Sequence, residues 1–146
     1  MKEIKFRAFL KDSAIHKMGA QFIVSTGRIF DVDIIDFQKT LIGIKRDTIY
    51  GFDFADVELL QYTGSKDKDG REIYEGDILD TGYDFERAAV GHGDYEFEYG
   101  TSDGDEDYNA TMCAYGWHFG NSRLGKYCDV KIIGNIYENP ELLNEP

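Results

Sequence analysis

The sequence predicts a mainly β fold, and three features carry that prediction. Aromatic residues make up 14% of the 146 residues, with ten Tyr and ten Phe, and such side chains pack well on pleated sheets. Sixteen glycines against two prolines indicate many tight turns. At the N-terminus Ile4, Phe6 and Ala8 alternate with Lys5 and Arg7, which is the period-two pattern of a half-buried strand.

Residues 1–60 are predicted to form an N-terminal β-sheet region. Five more runs rich in β-branched and aromatic residues predict strands: Gln21–Ser25, Ile29–Asp33, Thr40–Ile44, Thr48–Phe52 and Val57–Tyr62. Thr26-Gly27 predicts a hairpin turn between the first two runs. The one helix predicted in this region is short and covers Asp12–Gly19.

A small SH3-like β-barrel is predicted over residues 73–137, after a polar loop at 61–72. The loop ends in Asp69-Gly70, a strong turn signal. Glu75-Gly76-Asp77 predicts a second tight turn that feeds a strand starting at Ile78. A turn followed by an apolar strand commonly opens SH3-like barrels, and this analogy concerns the fold alone.

Later strands are predicted at Tyr95–Tyr99, Tyr115–Phe119 and Asp129–Ile136. Residues 138–146 form a C-terminal tail that contains a helix start. Asn139 is suited to the N-cap and Pro140 to the first helical position. Few residues follow, so we expect a single short helical turn.

The formal charge of −12 lies entirely in the second half of the chain. Residues 1–73 hold 12 basic and 12 acidic residues, whereas residues 74–146 hold 4 and 16. An acidic field repels phosphate backbones, so direct nucleic-acid binding is disfavoured. Solubility is the plain explanation of such charge, and attraction to a basic partner is the sharper one. The acidic insertion at 84–107 supplies the candidate partner-binding surface: Asp84, Glu86, Asp94, Glu96, Glu98, Asp103, Asp105, Glu106 and Asp107.

The sequence predicts a cytoplasmic protein with reduced thiols. The N-terminal residues alternate charged and apolar types and lack the apolar core of a signal peptide. No apolar run approaches the roughly 18 residues that span a bilayer. Cys113 and Cys128 are far apart and form no C-x-x-C pair.

No catalytic, cofactor or metal site is predicted. Asp103, Asp105 and Asp107 fit the first positions of an EF-hand loop, but Tyr108 and Ala114 occupy the positions that require Gly and Glu. A carboxylate nuclease site is disfavoured because the acidic residues lie in a Gly-rich stretch with one nearby arginine. Neither a G-x-S-x-G nucleophile motif nor a Walker phosphate loop occurs.

Two further constellations have plain structural explanations. His92, Cys113, His118 and Cys128 are potential zinc ligands, but none of them is paired at the short spacing of structural zinc sites. The run from Tyr115 to Phe119 resembles a base-stacking platform, yet it has few neighbouring Lys or Arg residues. We therefore expect these aromatic side chains to pack in the core.

Three segments together resemble the YopX family of phage and prophage proteins. They are Lys2–Phe9 (KEIKFRAF), Gln61–Ile78 (QYTGSKDKDGREIYEGDI) and Ile132–Leu143 (IIGNIYENPELL). These segments cover 38 of the 146 residues and occur in the family's order. Phe9 stands where the family usually has Trp, and Ser65 where it usually has Leu.

The resemblance implies a phage-derived bacterial protein of uncharacterised function, and it carries over no catalytic residues. We interpret the motif residues as structural: Phe6, Arg7, Tyr62, Thr63, Gly64, Gly70, Ile73, Tyr74, Glu75, Gly76, Asp77, Gly134, Asn135, Tyr137, Glu138, Asn139 and Pro140. Gly64, Gly70 and Gly76 suit turns with positive φ, and Gly134-Asn135 inside an apolar strand indicates a bulge or a close backbone approach.

Three functions remain open at the level of sequence. The first is a non-enzymatic accessory protein that acts through protein–protein contacts as a homo-oligomer, since exposed sheet edges favour self-association. The second is an acidic inhibitor that mimics nucleic acid and occupies a basic host protein. The third is a metal-dependent enzyme that uses clustered carboxylates.

Overall fold

The structure is a computed structural model that describes residues 3–18, 28–80, 87–101, 108–119, 122–123 and 130–144. The backbone alone is described at 94–101, 108–115, 119 and 122–123. The chain divides into two compact units, Met1–Gly64 and Ser65–Pro146. The mainly β fold predicted from the sequence is confirmed in both units.

The first unit contains two groups of antiparallel strands and one short helix. Its elements are β1 (Phe6–Leu10), α1 (Asp12–Met18), β2 (Ile29–Asp31), β3 (Ile34–Asp36), β4 (Leu41–Lys45), β5 (Ile49–Asp53), a 3-10 helix (Phe54–Asp56) and β6 (Val57–Lys66). Strand β1 lies between β2 and β6, and β3, β4 and β5 form a separate three-stranded meander. Strand β6 continues past the end of the unit.

Alternate positions of these strands build one apolar core. It consists of Ala8, Leu10, Ala14, Phe30, Ile42, Ile44, Phe52 and Val57. The alternation predicted at the N-terminus is confirmed from Phe6 onward, because Ala8 is buried and Arg7 pairs with Asp31. Ile4 precedes β1 and is exposed, so the strand is shorter at its start than the pattern predicted.

The second unit is a five-stranded antiparallel sheet. Its elements are β7 (Glu72–Tyr74), β8 (Asp77–Asp80), β9 (Arg87–Thr101), β10 (Tyr108–Phe119), β11 (Ser122–Arg123), β12 (Lys131–Asn135) and a 3-10 helix (Pro140–Leu143). The order in the sheet is β11-β10-β9-β8-β12. Strands β8 to β11 follow one another as a meander, and the late strand β12 returns to the far side of β8.

The core of the second unit is built around Leu79. It joins Ile73, Val90 and Val130, against which Trp117 and Ile132 pack. Among the described residues, no helix is long and apolar enough to cross a membrane.

Several element boundaries differ from the sequence prediction. Residues 61–66 continue β6 rather than forming loop, because Tyr62 and Thr63 are buried and the Tyr62 N–H donates to the Lys5 carbonyl. Strands β3 and β7 were not predicted, and each has only three residues. The strand predicted at Gln21–Ser25 and the turn at Thr26-Gly27 lie outside the described residues. The SH3-like description of the second unit stays a prediction.

Candidate functional site

The second and third motif segments meet on neighbouring strands of the second unit. Strand β8 pairs with β12, which places Asp77 opposite Asn135 and Ile78 opposite Gly134. The register shifts between Ile132 and Gly134, which confirms the bulge predicted at this glycine. Residues more than fifty positions apart therefore form one continuous structural element.

Asp67 links the two segments through its buried carboxylate. Its Oδ1 accepts hydrogen bonds from the backbone N–H groups of Asp69 at 2.9 Å and Arg71 at 2.8 Å. Its Oδ2 accepts from the Ile132 N–H at 3.2 Å and from Arg71 Nε at 3.3 Å. The Arg71 Nη2 also donates to the Ile132 carbonyl at 2.7 Å. The turn predicted at Asp69-Gly70 thus closes around a carboxylate.

The same contacts control the ionisation of Asp67. Burial acts to raise the pKa of its carboxyl, but hydrogen bonds from the backbone of Arg71, Ile132 and Asp69 outweigh burial. The positive charge of Arg71 adds to their effect. The pKa is therefore lowered, and Asp67 is an ionised structural acceptor at neutral pH.

The Glu75-Gly76 turn is fixed by Asp77 and by a close approach of Tyr137. The Asp77 Oδ2 accepts from the Tyr74 N–H at 2.8 Å. A Cβ at Gly76 would lie 2.9 Å from the Tyr137 ring, and φ there is 84°. Only glycine meets both conditions at low cost. The positive φ predicted for Gly64, Gly70 and Gly76 is confirmed at all three positions.

Asn135 and Asn139 organise the turn that follows β12. The Asn135 Oδ1 accepts from the backbone N–H groups of Tyr137 at 3.0 Å and Glu138 at 2.8 Å, and its Nδ2 donates to Glu138 Oε2 at 3.3 Å. Asn139 occupies the N-cap position of the 3-10 helix, with Pro140 next, as predicted. Its side chain makes no cap bond, however, because its Oδ1 accepts instead from the Asn135 N–H at 3.4 Å.

The remaining motif residues have structural contacts as well. Ile73 and Tyr74 are buried, and the Tyr74 hydroxyl donates to Glu72 Oε2 at 3.0 Å. In the first unit, Arg7 Nε donates to Asp31 Oδ1 at 3.1 Å. In the part of the chain that the structure describes, no buried side-chain nitrogen or oxygen lacks a hydrogen-bond partner. The motif polar groups are thus used to hold turns and strands.

Sequence reasoning missed an ion cluster in the first unit. Lys17 Nζ lies 2.6 Å from Asp56 Oδ2 and 3.2 Å from Asp53 Oδ2. Hydrogen bonds to Asp56 and Asp53 raise the pKa of the Lys17 ammonium, while hydrogen bonds from Lys17 and Ser13 lower the pKa of Asp56. Both shifts favour the charged forms, so Lys17 is not a general base at neutral pH. No local pattern signals the cluster, because Lys17 is 36 residues from Asp53 and 39 residues from Asp56.

The predicted acidic surface is described only in part. Asp94, Glu96 and Glu98 occupy alternate positions of β9, opposite Tyr115, Cys113 and Thr111 of β10. The remaining members lie outside the described residues: Asp84, Glu86, Asp103, Asp105, Glu106 and Asp107. The EF-hand-like segment therefore falls outside the described residues too.

Strands β9 and β10 form a long two-stranded ribbon. They pair at twelve positions, from Val90 opposite Phe119 to Thr101 opposite Tyr108. Strand β8 pairs with β9 only at Arg87, Ala88 and Ala89, and β11 pairs with β10 only at its last two residues. Among the described strands, β9 beyond His92 therefore pairs with β10 alone. We call residues 91–117 the acidic hairpin.

The candidate zinc and base-stacking residues are placed in part. The Trp117 side chain packs against the core of the second unit. The His92 ring lies edge-on to the Trp117 ring, with 4.6 Å between the ring centroids. This confirms the prediction of core packing for Trp117. The side chains of Cys113, Tyr115 and Phe119 and the whole of Cys128 are not among the described parts. Within the described residues, no group of three or more His, Cys, Asp or Glu is placed to hold a metal ion.

Comparisons with known proteins agree with the resemblance of the three segments. The family model described as YopX protein matches residues 5–144. Among solved structures, the chain is similar to protein EF1440 from Enterococcus faecalis, with 21% identity and a TM-score of 0.50. That match covers 98% of this chain and 99% of the other, and it supports the fold alone. Comparison with curated proteins finds no match.

Proposed function

From the premise that the chain belongs to the YopX protein family, we propose that it is a phage-derived, non-enzymatic accessory protein that acts through protein–protein contacts. The acidic hairpin is the element that binds the partner. The observation that carries the proposal is the pairing of β9 with β10. The two strands continue as a ribbon past the residues that pair with β8, and β9 lies in the most acidic part of the chain.

Two properties support a binding role for the acidic hairpin. A two-stranded ribbon is marginally stable by itself in water, so a long one is expected to gain stability from a partner. Residues 91–117 contain seven acidic residues and no lysine or arginine. Such a charge density attracts a basic protein surface and raises the rate of association.

The motif residues support a non-enzymatic role by their contacts. Asp67, Asp77 and Asn135 are the polar side chains in the motifs best suited to chemistry, and each is engaged by backbone N–H groups. The Asp67 carboxylate, whose pKa is lowered by these contacts, is an ionised acceptor rather than a poised acid or base.

The test uses a charge-neutralised hairpin and a control with the same net charge. The hairpin variant carries Asp103→Asn, Asp105→Asn, Glu106→Gln and Asp107→Asn. The control neutralises four exposed acidic residues elsewhere: Glu3→Gln, Asp47→Asn, Asp69→Asn and Glu141→Gln. Tagged proteins are incubated with bacterial lysate, washed at 50 and 500 mM NaCl, and the bound proteins are identified by mass spectrometry.

We expect the wild type and the control to retain the same basic partner at 50 mM NaCl and to release it at 500 mM. The hairpin variant should retain less than a tenth as much, because screening and neutralisation remove the same attraction. Equal retention by the hairpin variant and the control would contradict the proposal.

A second candidate function concerns the identity of the partner surface. Its supporting observation is the charge contrast between residues 1–73, which are neutral, and residues 74–146, which carry −12. A dense acidic field resembles a nucleic-acid backbone, so the partner would be a host protein that binds DNA or RNA. Competition by duplex DNA or RNA for the captured partner supports this form of the proposal, and undiminished capture at saturating nucleic acid contradicts it.

A further inference from the structure

One face of the β3-β4-β5 sheet is apolar and exposed. Gly43 of β4 lies opposite Ile34 of β3 and Gly51 of β5. A Cβ at Gly43 would lie 3.0 Å from Ile34 Cβ and 3.4 Å from Ile49 Cγ2. Ile34 and Ile49 therefore flank Gly43 on the same side of the sheet. We call this side, with Asp36, Leu41, Lys45 and Asp53 at its ends, the outer face.

The opposite side of the same sheet faces the core. Ile42, Ile44 and Phe52 alternate with the outer-face residues and are almost completely buried. By contrast, Ile34 is 46% exposed and Ile49 is 55% exposed. Phe37, in the turn after β3, is 76% exposed and meets Phe54 edge-on at 6.0 Å. Contiguous apolar groups on a sheet surface mark interaction sites more often than isolated ones do.

Charges of opposite sign lie at the two ends of the outer face. Lys45 is at one end, opposite Ile49. Asp36 and Asp53 are at the other end, both opposite Leu41. Four residues of strand separate the two ends, which corresponds to about 14 Å.

We propose that the outer face binds the outer face of a second copy of this chain. A two-fold axis that crosses the strands would bring Lys45 of each copy to Asp36 and Asp53 of the other, with Ile34 and Ile49 packed between them. A two-fold axis along the strands would instead put lysine against lysine. The charge pattern therefore selects one orientation and makes the face complementary to itself.

The outer face is small, so the dimer is expected to be weak. A face made of two five-residue strands and one three-residue strand lies at the low end of interface sizes, and we expect a dissociation constant of about 10–100 μM. The carboxylates retain internal contacts as well. Asp36 Oδ1 accepts from Gln38 N and Lys39 N, and Asp53 Oδ2 lies 3.2 Å from Lys17 Nζ. Each carboxylate is thus held at the rim of the face.

The test is sedimentation equilibrium of the full chain at 5 to 500 μM. The wild type should change from a mass of 16.7 kDa to twice that mass as concentration rises. Ile34→Lys and Ile49→Lys should each weaken dimerisation at least tenfold. Ile4→Lys is the matched control, because Ile4 is 73% exposed in the same unit and lies outside the outer face; it should dimerise as the wild type does.

A charge exchange distinguishes this orientation from a non-specific apolar contact. Lys45→Glu and Asp53→Lys should each weaken the dimer, and the double variant should recover most of the lost affinity. Lys17 Nζ also lies 2.6 Å from Asp56 Oδ2, so loss of the Asp53 carboxylate leaves this lysine one carboxylate partner. Circular dichroism melting of each variant establishes that it is folded.

Two outcomes would overturn the inference. One is a wild type that stays monomeric at 500 μM, which would mean that the outer face does not bind a second copy of this chain. The other is unchanged dimerisation in both isoleucine variants, which would place self-association elsewhere. The inference goes beyond the proposed function and concerns the other unit, so the hairpin variant should dimerise normally. Failure of one proposal is therefore distinguishable from failure of the other.

Discussion

Asp67 holds the turn between β6 and β7 to the start of β12 by four hydrogen bonds from three residues. Replacing it with Asn keeps the shape but removes the charge, and it turns an amide N–H₂ toward backbone donors. We expect Asp67→Asn to lower the free energy of unfolding by about 2–3 kcal/mol, since hydrogen bonds to a charged group are the strong ones. Urea unfolding at pH 7 measures this loss.

The control for that variant is Asp69→Asn, which changes an exposed carboxylate in the same turn. It should alter stability by less than about 0.5 kcal/mol. Equal losses in the two variants would show that the turn, rather than the Asp67 carboxylate, determines stability.

The pH dependence of stability gives a second measurement at Asp67. Because the folded pKa is lowered, the unfolded chain binds more protons as pH falls, and the stabilisation by the ionised carboxylate is lost. The difference between the wild type and Asp67→Asn should be constant from pH 7 to pH 5. It should shrink below about pH 4, where the unfolded carboxylate begins to protonate. A difference that stayed constant down to pH 2.5 would contradict the shift.

At the scale of elements, the bulge in β12 depends on the absence of a side chain at Gly134. A Cβ there would lie 2.7 Å from Asn139 Oδ1 and 2.8 Å from Leu142 Cδ1. We expect Gly134→Ala to destabilise the protein by about 1–3 kcal/mol, because the side chains of Asn139 and Leu142 must shift. Thermal unfolding followed by circular dichroism measures the effect.

Gly51→Ala in β5 is the matched control for that prediction. Nothing lies within 4 Å of a Cβ at Gly51, and this glycine is exposed in an ordinary strand. Its replacement should raise the free energy of unfolding by up to about 1 kcal/mol, because alanine restricts the unfolded chain more than glycine does. The measurement is made at 5 μM so that self-association does not contribute. A Gly134 variant as stable as this control would show that the Asn139 and Leu142 side chains shift at no cost in stability.

The elements that the sequence predicted correctly are those with local signals. Gly76 and Gly134 indicate a turn and a bulge by residue type alone. Strand β1 follows from periodicity, and most other strands of the first unit follow from their content of β-branched and aromatic residues. Strand β3 was missed because Ile34–Asp36 is too short to show alternation. The contact of Asn139 with Asn135 was missed because the N-cap preference concerns bonds within the helix that follows. It does not consider the neighbouring strand, whose Asn135 N–H binds the Asn139 side chain.

The polar contacts that join distant segments have no local signal at all. Lys17 meets Asp56 across 39 residues, and Asp67 meets Ile132 across 65. Composition alone predicts the acidic surface, since nine acidic residues lie within 84–107. The pairing of β9 with β10, which places Asp94, Glu96 and Glu98 in a two-stranded ribbon, is supplied only by the structure.

At the scale of the whole molecule, the division of charge follows the division into units. The first unit, Met1–Gly64, has nine basic and nine acidic residues, and the second, Ser65–Pro146, has seven and nineteen. Repulsion among like charges therefore destabilises the second unit and not the first. Dissolved salt screens such repulsion, with a Debye length of about 30 Å at 10 mM and about 10 Å at 100 mM.

The stability of the second unit should therefore rise with salt. Trp117, the single tryptophan, packs against the core of that unit, so its fluorescence reports the unfolding of that unit. Raising NaCl from 10 to 500 mM should increase the midpoint temperature by about 4–8 °C for each kcal/mol of repulsion that is screened.

The hairpin variant tests where that repulsion arises. Neutralising Asp103, Asp105, Glu106 and Asp107 changes the net charge from −12 to −8 and should raise the Trp117 midpoint at 10 mM NaCl while reducing its increase with salt. The control with four neutralised residues outside the hairpin should keep most of the increase, because its changes are spread over both units. If both variants responded alike, the repulsion would depend on total charge rather than on charge concentrated in the acidic hairpin. If only the hairpin variant lost the response, the segment that destabilises the free protein would be the one proposed to bind a basic partner, and binding would relieve that repulsion.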